Sequence, residues 1–192
     1  FLYAEQNDVV IVAAAGNRGI GMTQVGAPAT IPGVLTVAGL DRQGKASWDS
    51  SSEGISIGVA APAENLVGGL PGGPSRYAEW SGTSAAAPLV SGVAALIRSA
   101  YPELTAAQVI NRIITTARDS GAPGRDTLYG YGIVDAAAAL NSDVPAVAGN
   151  PLGTIEEWIR IHRRGETPAA DAPAPPPGQS LPDIPEPQVP EA

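Results

Sequence analysis

The 192-residue sequence has no cysteine, a single histidine and only 11 lysines and arginines against 19 aspartates and glutamates. The lack of cysteine excludes disulfides, thiolate metal sites and a thiol nucleophile, although it does not fix the compartment. Scarce basic residues and a net charge of -8 exclude a nucleic-acid partner, since the only basic run is the short Arg160 to Arg164 cluster. No apolar run approaches the ~20 residues that a membrane-spanning helix needs, because the runs near Val9 and Ala85 are broken by polar residues or glycine. No acidic cluster reads as a metal site. The chain also opens without an initiator methionine or signal peptide, on Phe1-Leu2-Tyr3-Ala4-Glu5-Gln6, which reads as the last turns of a helix entering a strand. It is expected to be a fragment whose N-terminal portion is missing.

What is present divides into three parts. Residues 165–192 hold nine prolines and five acidic residues with no basic or aromatic residue. Such a segment buries too little apolar surface to offset its ordering entropy, so a disordered Pro/Ala-rich tail is expected. Residues 142–164 read as a linker and an amphipathic helix, with Ile155, Trp158, Ile159 and His162 on one side. Residues 1–141 read as a folded α/β layered unit. In it, Val9 to Ala13 is a short continuous apolar run rich in β-branched residues, the pattern of a strand buried on both faces of a parallel sheet, and Val34 to Ala38 and Ile55 to Ala60 are two further strand candidates. Pro62 to Pro74 reads as loop. Thr83 to Ala100 reads as a helix, with Val90, Val93, Leu96 and Ile97 at helical spacing. A second helix is expected from a Thr105 N-cap to about Ala117, and a short Ala-rich one from Asp135 to Leu140.

Two segments carry chemistry. In Trp80-Ser81-Gly82-Thr83-Ser84-Ala85-Ala86-Ala87-Pro88 a serine sits where an irregular turn becomes a small-residue helix. A helix N-terminus offers unpaired N–H groups and a positive dipole end to developing negative charge, so Ser84 is a candidate nucleophile. Pro88 reads as lying near the helix start, where it costs little. The plainer alternative is that Ser81, Thr83 or Ser84 is an N-cap. In Val12-Ala13-Ala14-Ala15-Gly16-Asn17 an apolar strand ends in small residues and one amide. That amide, with a backbone N–H, is one way to hold an oxyanion; the alternative is an ordinary Gly-Asn turn.

The two segments, their order and their context resemble the subtilisin-like serine proteases over approximately Phe1 to Leu140. Ala14-Ala15-Gly16-Asn17 matches the family's oxyanion motif and Gly82-Thr83-Ser84-Ala85-Ala86-Ala87-Pro88 its nucleophile motif. Gly26-Ala27-Pro28 resembles the base of the primary specificity pocket, which often holds a cis-proline. Tyr131 to Leu140 resembles the closing turn and terminal helix. The resemblance implies a three-layer α/β fold with a mainly parallel sheet, here as a partial domain. It implies a serine endopeptidase acting on protein or peptide substrates, with Ser84 as nucleophile, Asn17 and the Ser84 N–H as oxyanion donors, and Ala14, Ala15, Gly16 and Gly26 along the substrate. No metal ligand is identified, although calcium is frequent in the family.

In this family the triad Asp and His precede the oxyanion Asn, and neither motif occurs in residues 1–192. His162 lacks the His-Gly-Thr context of the base. Asp41, Asp49 and Asp135 read as turn or cap residues. The isolated chain is therefore expected to be inactive. Arg18, following Asn17, is placed at the pocket mouth, where it would favour acidic or neutral residues. The extension after Asn150 resembles the envelope-spanning linkers of mycosin-like proteases from actinobacteria, which implies a secreted or cell-envelope, extracytoplasmic protein with a possible membrane tether beyond the tail. Other readings are a serine-carboxyl peptidase, which Asn17 opposes, a non-catalytic relative acting as a binding or scaffolding module, and a stand-alone domain presenting a groove.

Overall fold

A computed structural model describes residues 1–162. Arg163, Arg164, the tail 165–192 and the His162 side chain lie outside the described residues. The chain runs through α1 (Leu2–Gln6), β1 (Val12–Ala14), a 3-10 turn (Arg18–Ile20), β2 (Leu35–Leu40), β3 (Ile57–Pro62), β4 (Leu66–Gly69) and β5 (Tyr77–Trp80), then α2 (Thr83–Ala100), α3 (Ala106–Thr115), α4 (Ala136–Asn141) and α5 (Ile155–His162).

Strands β1, β2 and β3 form a parallel sheet in that order, with Val12 opposite Leu35 and Ala38 opposite Ala60. The central strand β2 is buried at all six positions, which is why its sequence is continuous rather than alternating. Its side chains still alternate between faces. Leu35 and Val37 join the cluster under the helices with Val59, Val90, Ile97 and Ile110, while Ala38 and Leu40 pack the other face with Ile57 and Tyr129. Among the described residues the helical layer covers one face of the sheet, and loops carrying Val25, Ala46 and Tyr129 cover the other.

Helix α2 packs on all three strands. Its buried positions Ala86, Val90, Val93, Ala94 and Ile97 follow the i, i+3, i+4 pattern. Leu96, expected in that stripe, is 53% exposed. Helix α3 begins at a complete capping box, in which Thr105 Oγ1 accepts from Gln108 N and the Gln108 side chain returns to Thr105 N. It ends at Thr115, short of the expected Ala117, where the chain leaves the helix for a bridge in which Arg118 and Ile133 exchange backbone bonds at 2.8 and 2.9 Å.

Two further differences from the sequence reading concern strands. Strand β1 starts at Val12, not Val9, since Val9 is 49% exposed after the positive-φ residue Asp8. Residues 66–69 and 77–80, within and after the stretch read as loop, form an antiparallel hairpin with Leu66 opposite Trp80. Its exposed glycines and prolines conceal the period-2 signal.

Residues 142–162 return across the fold. Asn111 Nδ2 donates to Pro145 O at 3.1 Å; Gly33 N donates to Leu152 O at 3.0 Å, and Asn150 Nδ2 to Gly33 O at 2.9 Å. The Glu5 carboxylate then caps α5, accepting from Ile155 N at 2.8 Å and Glu156 N at 3.3 Å. Gly33 precedes β2 and α1 precedes β1, so this strap fastens to the N-terminal edge of the sheet.

Truncating the fully buried Ile97 to Ala is expected to lower stability by about 2–5 kcal/mol, read from a denaturant midpoint shift at constant slope. Glu5→Ala is expected to speed hydrogen exchange of the Ile155 and Glu156 amides about fivefold, for a cap worth ~1 kcal/mol. Unchanged exchange at those amides would show that Glu5 does not hold the strap.

Candidate active site

Helix α2 begins at the C-terminal edge of the parallel sheet, the edge at which open α/β sheets bind their ligands. Its N-cap is Gly82, whose N–H donates to Ala63 O just past β3, at 2.7 Å. Gly82 has φ +119°, and a Cβ there would lie 2.9 Å from Asn17 Nδ2, so both backbone and space demand glycine. The N-cap therefore has no side chain. The cap comes from 66 residues upstream: Thr83 N donates to Asn17 Oδ1 at 2.8 Å.

Thr83 is fully buried and ties β1 to α2. Its hydroxyl meets Asn17 Oδ1 at 2.9 Å and Gly16 O at 3.1 Å, and accepts from Gly16 N at 3.1 Å. A hydroxyl has one proton, so the two oxygens share it. The Thr83 N–H can only donate, which fixes the Asn17 amide with Oδ1 toward the helix and Nδ2 away from it. Nδ2 makes no hydrogen bond among the described residues, and no buried side-chain nitrogen or oxygen among them lacks a partner. The Asn17 NH2 is thus open to solvent, against Gly82.

Ser84 occupies the second position of α2 and is exposed, with its hydroxyl free of hydrogen bonds among the described residues. Its N–H belongs to the first helical turn and has no intrahelical acceptor. Pro88 lies deeper in the helix than the sequence reading placed it, and having no N–H it leaves the Ser84 carbonyl without its usual i+4 donor. A groove of about 420 Å³ opens beside Ser84, lined by Leu66, Val67, Trp80, Ala85 and Leu89. A larger cavity of about 550 Å³ around Thr30, Ile55, Arg125 and Leu152 touches neither Ser84 nor Asn17.

The remaining residues expected along the substrate are placed unevenly. Ala14 ends β1 and is half-buried, while Ala15 is 1% exposed, with its side chain in the core beside Ala38 and its N–H bonded to Val37 O. Ala15 can therefore offer a substrate only backbone. Gly16, at φ +104°, has Ser52 Oγ and Met22 Cε where a Cβ would stand, at 2.7 and 3.1 Å. Gly26 has open space on its Cβ side and precedes the cis peptide Ala27-Pro28.

Arg18, expected at a pocket mouth, has partners on a neighbouring loop. Its guanidinium pairs with Glu53 at 3.4 Å and stacks on Trp48 at 4.2 Å, so its charge is already matched and the expected acidic preference has no free cation behind it. Asp41 Oδ1 accepts from Gln43 N and Lys45 N in a turn, and Asp135 caps α4 through Ala138 N. Among the described residues no group of three or more His, Asp or Glu side chains could hold a metal ion. The sequence reading missed Thr83 as an anchor and the pairing of Arg18; the first had a signal in a buried-type Thr between Gly and Ser, the second had none.

The family model described as the subtilase family matches residues 2–132. Mycosin-2 of Mycobacterium tuberculosis is 39% identical over 207 residues, covering 90% of this chain and 36% of that protein. Among solved structures, fervidolysin of Fervidobacterium pennivorans, described as a keratinolytic enzyme related to subtilisin, aligns with TM-score 0.67 at 32% identity, over 75% of this chain and 24% of its own. The serine protease MycP1, described as an essential component of the type VII (ESX-1) secretion system, aligns with TM-score 0.61 at 39% identity, over 72% and 45%. The chain thus spans less than half the length of each of these relatives. With a parallel sheet, a Gly-Thr-Ser helix start capped by an upstream Asn and this match over most of its described length, the chain belongs to the subtilase family and is mycosin-like within it.

Proposed function

We propose that Ser84 is the nucleophile of a serine endopeptidase and that Asn17 supplies one half of its oxyanion hole. The observation that carries the reading is the orientation of the Asn17 amide. With Oδ1 held by Thr83 N, the NH2 is turned against Gly82, two residues before Ser84, whose hydroxyl and N–H make no hydrogen bond among the described residues. Ser84 Oγ attacks the scissile carbonyl carbon while a histidine takes its proton. The carbonyl oxygen becomes an oxyanion between Asn17 Nδ2 and Ser84 N, two donors already in place before charge develops. Collapse breaks the C–N bond, the amine leaves with the proton held by the histidine, and an ester remains on Ser84. Water, deprotonated by the same histidine, then hydrolyses it.

The histidine and its aspartate come, in this reading, from residues preceding Phe1, and residues 1–192 alone are inactive. Support comes from the one histidine of the sequence, which lies in α5 on the strap, and from a Ser84 hydroxyl that makes no hydrogen bond among the described residues. The substrates are proteins or peptides, lying along Ala14 to Gly16 and Gly26 through backbone contacts. An extracytoplasmic, envelope-associated protein, tethered beyond the acidic tail, is the reading favoured by likeness to MycP1 and the mycosins. Calcium stays a proposal from family likeness, with no site assigned.

The test uses the longer protein that includes the residues upstream of Phe1. A fluorophosphonate probe is expected to label Ser84, and Ser84→Ala to abolish labelling and peptide hydrolysis. Asn17→Ala is expected to lower kcat about 100- to 1000-fold with KM little changed, the magnitude known from subtilisin itself. A protein that binds peptides yet never labels at Ser84 would replace the protease with the binding-module reading.

A further inference from the structure

The segment carrying Asn17 is held on one side by Thr83, and a second loop grips its other side. Ser52 N donates to Gly16 O at 2.8 Å, Gly19 N to Asp49 O at 2.9 Å, and Val25 N to Glu53 O at 3.0 Å. Glu53 N in turn donates to Thr23 O at 3.2 Å, so residues 49–53 follow the 16–25 loop along most of its length. Within the loop, Gly21 N donates to Arg18 O at 2.8 Å and closes the 3-10 turn, while the bonds to Asn17 O are longer. Asn17 O accepts from Ile20 N at 3.3 Å and from Met22 N at 3.2 Å, both at the long end of the range.

Arg18 is the residue directly after Asn17, and its side chain is 13% exposed. One edge of its guanidinium meets Glu53 Oε2 at 3.4 Å and one face lies over the Trp48 ring at 4.2 Å. Glu53 Oε1 is held separately by Gln24 Nε2 at 3.2 Å. Glu53 is 43% exposed, so this pair contributes little as an isolated ion pair. Its effect is geometric. With Glu53 on its edge and Trp48 on its face, the planar guanidinium adds a side-chain tie between the residue after Asn17 and the 48–53 segment, beside the backbone bonds already there.

We infer that Arg18 is a positioning residue for the Asn17 amide, acting through its clamp on Glu53 and Trp48, and not a contact that selects substrates. The inference rests on the protease reading above. Because the donor is displaced and not removed, the loss on breaking the clamp is smaller than that for Asn17→Ala.

The test measures kcat and KM in the longer protein on three peptides that differ only in having an acidic, neutral or basic residue before the scissile bond. Arg18→Ala is expected to lower kcat about tenfold for all three, with KM within about twofold. Trp48→Ala gives a similar loss, and Trp48→Phe, which keeps a ring under the guanidinium, restores most of the rate. Arg18→Ala added to Asn17→Ala costs nothing further. A change in KM that depends on the charge of the peptide, or losses that multiply in the double variant, would overturn the inference. Hydrogen exchange reads the clamp without chemistry: the Gly19 and Met22 amides exchange faster in Arg18→Ala, and unchanged exchange also overturns it. Wild-type protein that never labels at Ser84 sinks the protease reading alone, and the exchange measurement still decides the clamp.

Discussion

One buried hydroxyl joins the two halves of the site. Thr83 Oγ1 meets Gly16 N, Gly16 O and Asn17 Oδ1, and the Thr83 N–H fixes the amide from the other side. Removing the hydroxyl would leave the Gly16 N–H without this partner, at about 1–3 kcal/mol for a buried group stranded, while Gly16 O keeps the Ser52 N–H. The same contact does two jobs. It caps α2, whose own N-cap glycine has no side chain, and it turns the Asn17 NH2 outward. Helix start and the Asn17 amide are therefore one structure, and Gly16 and Gly82 are glycines because the parts meet too closely for a Cβ.

The sheet sorts the molecule into two ends. Asn17 and Ser84 lie where the parallel strands finish, and the strap from residue 142 onward fastens where they begin, through Gly33 and Glu5. Six residues of β2, at ~3.3 Å each, set roughly 20 Å between the edges. At the Ser84 end, by contrast, the 49–53 loop and Arg18 hold the segment that presents Asn17.

Much of this was legible in the sequence where one residue type had one physical use. The α2 boundaries follow from small residues before Pro102, and the Thr105 box from a hydroxyl three residues before Gln108. The buried β2 core follows from an unbroken apolar run. The motifs around Asn17 and Ser84 were legible as types, but not their mutual orientation, because the bond between Thr83 and Asn17 spans 66 residues. The hairpin of β4 and β5 was hidden by exposed Gly and Pro, and Leu96 misled because an apolar residue at helical spacing need not be buried. Arg18 misled for a different reason. Its neighbour in sequence is Asn17, but its partners Glu53 and Trp48 arrive from another loop.

The central claim is that Thr83 acts on the reaction through Asn17. A double-mutant cycle in the longer protein measures this directly, comparing kcat for Thr83→Val, Asn17→Ala and the pair. Coupling through the Asn17 Oδ1 contact predicts that Thr83→Val lowers kcat in the wild-type background and adds almost nothing once Asn17 is alanine. Losses that multiply independently would contradict the account.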